Sequence, residues 1–181
     1  MKRFILILLI LTCSVGAFDL HFYSTPPEPL IVQEYPKTTV DPSLMPLVKE
    51  LSINPYGLDI QYGTFAKDTQ HGEYDGNRSI KVVKGDTKQY IAHEYLHYVW
   101  NNKVLNKDEL SSSLNDLYNN DPGMQIRMKW YVDRNILPNT PQFTSELHSI
   151  YCTESSDQYL TQTVLNDCNK WINRNSLTFE R

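Results

Sequence analysis

His93, Glu94 and His97 form the pattern H-E-x-x-H within residues 91–100. On an α-helix, residues four apart stand one above the other on one face, so both imidazoles can reach a single metal ion. Glu94 is turned by one residue from His93, within reach of a proton on a metal-bound water. Such a set can hydrolyse a substrate with a metal-activated water and a carboxylate general base. The competing account is a surface helix carrying two incidental histidines.

The flanks describe the helix that must position these groups. At 100° per residue from His93, the His93–Glu94–His97 set spans about 100°, and Ala92, Leu96, Val99 and Trp100 fall between about 240° and 340°. One side is therefore expected to anchor in a core while the other presents the polar set. Asp86 reads as the N-cap, with Gln89 in the capping-box position.

Around this helix the chain divides into two styles. Residues 18–40 hold Pro26, Pro27, Pro29 and Pro36 and read as an extended lead-in. Asp41 and Pro42 open a helix over residues 42–51, with Leu44, Leu47, Val48 and Leu51 on its core face. Residues 58–62 and 79–83 read as strands, separated by a loop or irregular hairpin over 63–78 in which His71 reads as a solvated side chain. The second half reads as helical: residues 107–117, a helix capped by Asp121 and Pro122, another started by Thr140 and Pro141 and running to about Glu154, and a last one over 156–173. A cleft is expected where the two halves meet beside the motif.

Two histidines do not complete a catalytic zinc site, which uses three protein ligands and leaves a fourth position for water. Glu146 and His148 are the best-placed candidates for the third, on a separate downstream helix. They are two residues apart, about 200° on a helix, so both are not expected to bind one ion. The residues alone leave the choice open.

The His93-Glu94-x-x-His97 helix, preceded by the strand at 79–83 and followed by a helix bearing Glu146, resembles the zincin metallopeptidases. More narrowly it is similar to the gluzincins, in which the third ligand is a glutamate on a later helix. In several gluzincins a small residue follows that glutamate by three positions, and Glu146-x-x-Ser149 matches. The extended metzincin pattern is absent, since residues 99–104 hold neither its glycine nor its third histidine. The resemblance covers about residues 79–154. It implies Zn2+ held by His93, His97 and Glu146, Glu94 as general base, and a peptide or protein substrate. It further implies that strand 79–83 is the sheet edge on which an extended substrate pairs. His148 and Tyr151 are candidates for stabilising the oxyanion, and Glu154 for orienting a zinc-bound histidine.

Composition fits this picture. With 40% hydrophobic and 21% charged residues in 181, the chain can bury one core and is not of disordered type. With a net charge of −4, nothing suggests nucleic-acid binding, which would call for a basic face. Lys2 and Arg3, the apolar run at 4–11 and the small residues Val15, Gly16 and Ala17 read as a signal peptide cleaved near Ala17. The run is too short to span a bilayer, so no stable membrane insertion is expected after cleavage. Lipidation at Cys13 and a retained anchor are the alternatives. Export to a periplasmic or extracellular compartment makes Cys152 and Cys168 a candidate disulfide, against two buried thiols.

The expectation is thus an α+β protein. A signal peptide (1–17) precedes one zincin-like domain (18–181), with a short sheet and active-site helix in its α/β upper part (18–103). An all-helical lower part (104–181) completes it. The expected activity is that of an exported zinc metallopeptidase of unspecified oligomeric state. The alternatives are a metal-binding protein without turnover and a zinc hydrolase acting on cell-wall peptides.

Overall fold

The computed structural model describes residues 37–65 and 70–179. The expected signal peptide with its Ala17 cleavage site, Cys13, His21 and most of the lead-in lie outside these residues. The chain is α+β, with one mixed four-stranded sheet followed by a helical C-terminal half.

The lead-in ends in a two-residue strand, β1 (Thr39–Val40), which pairs in parallel with β2 (Asp59–Tyr62). Between them lies α1 (Met45–Glu50), shorter at its start than expected. Asp41 accepts hydrogen bonds from the backbone and hydroxyl of Ser43 and forms a turn before the helix. Pro46 occupies the first turn of α1, where its missing N–H has no partner to lose.

Residues 63–78 contain β3 (Gly72–Tyr74), which runs antiparallel to β4 (Ser79–Val82). Spatial order is β1-β2-β4-β3, with β4 parallel to β2. Strand β4 is therefore interior, which corrects the expectation that residues 79–83 form the sheet edge. The edge beside the motif helix is β3.

Ile60, Ile80 and Val82 lie on one face of the sheet and are fully buried, and β4 packs against α2 (Thr87–Asn102). The stripe expected on that helix, Ala92, Leu96, Val99 and Trp100, is buried throughout. Asp86 holds the N-cap position, but its side chain makes no capping bond. Gln89 instead donates to the Thr153 carbonyl of a distant helix.

The lower half consists of α3 (Lys107–Asn119), α4 (Pro122–Val132), α5 (Pro141–Glu154) and α6 (Gln162–Trp171). Asp121, Thr140 and Thr161 cap α4, α5 and α6 by accepting the backbone N–H groups of Met124, Phe143 and Val164. The last helix begins later than expected, because a 3-10 turn at Asp157–Tyr159 and an extended Leu160 come first.

Helix α5 is the axis of this half. From Phe143 to Ser155 each residue is buried except Glu146 and Glu154. Its C-terminal end is fastened twice. A disulfide joins Cys152 to Cys168 of α6, with Cα atoms 5.3 Å apart. The buried Arg174 guanidinium donates to the Tyr151 and Ser155 carbonyls at 3.3 and 2.6 Å, to that of Cys152, and to Asp157. These bonds satisfy carbonyls that the end of a helix leaves without partners.

Candidate metal centre

Helices α2 and α5 pack closely along their length, and that contact assembles the site. Ser145 and Ser149, small residues four apart on α5, face the His97 ring. Its Nδ1 lies 2.8 Å from Ser145 Oγ and 3.4 Å from Ser149 Oγ. These contacts turn His97 Nε2 away from α5's backbone and towards His93. The Nε2 atoms of His93 and His97 stand 3.2 Å apart. Glu146 Oε2 completes a triangle, 3.6 Å from the first and 3.4 Å from the second.

Three donor atoms at these separations could hold a metal ion. Tetrahedral ligands about 2.1 Å from zinc stand about 3.4 Å from one another, which is the spacing found here. Two imidazoles and a carboxylate suit zinc and its transition-metal neighbours better than calcium or magnesium, which prefer oxygen ligands. The triangle opens into a cleft of about 1050 Å³, which supplies room for a fourth ligand and a substrate.

Electrostatics reflect the crowding of charge. Burial alone would raise the Glu146 pKa. Hydrogen bonds and charge from His93 and His97 outweigh it, and the carboxyl is held well below its usual range. Burial disfavours a charged His93, yet its hydrogen bond to Glu146 and the charges of Glu94, Glu146 and Glu154 raise its pKa. Glu94 is raised, chiefly by burial and against the pull of both histidines. A carboxyl shifted in that direction is a better proton acceptor near neutrality.

The edge strand holds Glu94 in place. Asp75 N–H bonds to the Ser79 carbonyl and Val83 N–H to that of His71. Antiparallel alternation then points the backbone groups of Gly72 and Tyr74 away from β4, along the free edge. The Tyr74 N–H donates to the Glu94 carboxylate. Gly72 lies so close that a Cβ there would come within 2.6 Å of Glu94 Oε1.

The expected site residues thus divide cleanly. His93, Glu94, His97 and Glu146 come together. His148 does not: it is fully buried on another side of α5, with Nε2 2.9 Å from Asp167 of α6 and its ring against Trp100. Its role as third ligand or oxyanion donor is overturned. Tyr151 is likewise a core residue, its hydroxyl directed at Asp121. Glu154 pairs with Arg127, and both residues line the cleft. His71 reaches the cleft and stacks on Tyr90 at 5.1 Å.

Three contributors escape the sequence reading. Ser145 orients His97, and Gly72 admits Glu94. Tyr131 of α4 lines the cleft and hydrogen-bonds Glu146. Burial and the surrounding carboxylates raise its pKa far above the ordinary value, so it stays a neutral hydroxyl and a donor. The Ser145–Ser149 pair was the one available signal, as two small residues four apart.

No protein-family model matches the chain, and neither curated proteins nor solved structures provide a match. The site's chemistry therefore carries the functional argument.

Proposed function

We propose that this protein is an exported zinc-dependent metallopeptidase. The supporting observation is the convergence of His93, His97 and Glu146 from two helices, with Glu94 beside them at the edge of an open cleft. Zinc alone does not require Glu94; a hydrolytic step does.

When bound, zinc would lower the pKa of a coordinated water and polarise the peptide carbonyl. The chain's own groups do the rest. Glu94 takes the water's proton and delivers it to the leaving amine. Tyr131, a neutral hydroxyl, donates its one proton to Glu146 and so orients that carboxylate. The outward groups of Gly72 and the Tyr74 carbonyl offer backbone hydrogen bonds to an extended peptide. Export is supported by the disulfide and by the N-terminal sequence. Among the described residues no helix is long and apolar enough to cross a membrane.

The test is metal analysis with a peptide-library digest of wild type and Glu94→Gln. Wild type should carry one zinc and cleave peptides, while the variant should keep zinc and lose hydrolysis. Zinc without cleavage in the wild type would leave a metal-binding protein. No stoichiometric zinc would end the enzyme reading.

A further inference from the structure

The C-terminal part of α4 and the turn that follows line the cleft. Arg134 lies there with Trp130, Tyr131, Ile136 and Asn139. Three other described arginines, Arg78, Arg127 and Arg174, each face a carboxylate: Asp59, Glu154 and Asp157. Arg134 faces none among the described residues, yet it is held in place. Its guanidinium lies 3.5 Å from the centroid of the Trp130 ring, and one nitrogen donates to the Trp130 carbonyl at 3.0 Å. The indole itself stands edge-on to Tyr131, with centroids 4.9 Å apart.

The backbone fixes this arrangement from behind. Asn135 takes a left-handed φ of 68°, and the N–H groups of Asn135 and Ile136 close back onto the Val132 and Tyr131 carbonyls. Asparagine tolerates that conformation better than most residues. Most of the guanidinium's five N–H donors remain uncommitted on a stacked, oriented plane. That geometry matches a carboxylate through two parallel hydrogen bonds. Lys107, a cation elsewhere in the lining, is a flexible ammonium over Trp100 and lacks this fork.

The surrounding charge makes Arg134 decisive for anionic ligands. The lining also carries Glu73, Glu94, Asp108, Glu146 and Glu154, which repel a second carboxylate. We propose that Arg134, stacked on Trp130, is a carboxylate-recognition site that selects peptides bearing a carboxylate on the α4 side of the scissile bond. The carboxylate is either the peptide's free C-terminus or an Asp or Glu side chain. This rests on the cleft being the peptidase site proposed above.

The experiment uses the zinc-loaded protein and matched peptides: free acid against C-terminal amide, and internal Glu against internal Gln. Wild type should favour the carboxylate-bearing member of at least one pair by roughly two- to fivefold in kcat/KM, mostly through KM, as suits an exposed arginine contact. Arg134→Gln should bring that ratio to about one, and Arg134→Lys should leave it between the two. The pair that discriminates identifies the source of the carboxylate. Equal handling of both pairs by wild type, or a preference that survives Arg134→Gln, overturns the proposal. The same ratios are read from binding of labelled peptides to Glu94→Gln protein with and without the Arg134→Gln change. If no peptide is cleaved but the binding ratio follows Arg134, the peptidase reading falls and the carboxylate site stands.

Discussion

Gly72 and Glu94 constrain each other more tightly than any sequence motif records. A Cβ at position 72 would overlap the buried Glu94 side chain at its carboxylate and its Cγ, so Gly72→Ala should displace the base. Hydrolysis should fall by about tenfold or more while zinc stoichiometry stays near wild type. Kinetics and metal analysis on the same preparation check this, and undiminished activity would show that Glu94 needs no such placement. The contrast explains what the sequence made legible. His93, Glu94 and His97 share one helix and obey its periodicity. Gly72, Ser145 and Tyr131 reach the site through packing between elements, which no local spacing encodes. Glu146 lay between these cases, since its competitor His148 was excluded only once the buried pairing with Asp167 was seen.

Among elements, the β3–β4 hairpin carries the free edge, and one side chain shapes its turn. Asp75 Oδ1 accepts the backbone N–H groups of Asn77, Arg78 and Ser79, each at 2.9 Å. Burial would raise its pKa, but these three bonds prevail and lower it. A depressed folded pKa contributes stability above the unfolded pKa, and that contribution is lost as pH falls through the folded value. Asp75→Asn should therefore be less stable than wild type near neutrality, with the gap closing as pH falls below the ordinary aspartate range. Urea unfolding of both proteins from neutrality to below that range tests it, and a gap that does not depend on pH would rule out the carboxylate as its origin. Strand β3 was hidden in the sequence because three residues, Gly72, Glu73 and Tyr74, show no alternation worth the name. Without it, β4 looked like the edge. Chain order does not give spatial order when a short strand inserts beyond its successor. The caps at Asp121 and Thr140 were legible because each acts on its own helix.

For the whole molecule, the α+β division and helical lower half followed from periodicity, and the Cys152–Cys168 bridge from the pair of cysteines left once Cys13 is assigned to the expected signal peptide. What periodicity could not supply was the central place of α5, whose near-continuous burial reflects neighbours on every side. The bridge ties this helix to α6 across 16 residues of chain. Replacing both cysteines with alanine should lower unfolding stability by about 3 kcal/mol, the chain-entropy value for a loop of this length. A urea midpoint unchanged from wild type would mean that the fastening by Arg174 alone suffices.

The same burial governs how a bound ion could leave. Local opening releases ligands in many proteins, because a frayed helix end or mobile loop carries one of them. Here Glu146 sits mid-helix on α5, between a capped start and a cross-linked end, while His93 and His97 sit mid-helix on α2. No terminus can peel away and take a donor with it. Departure must proceed one bond at a time through the cleft mouth or await opening of the entire core, so residence time becomes a property of the fold as a whole.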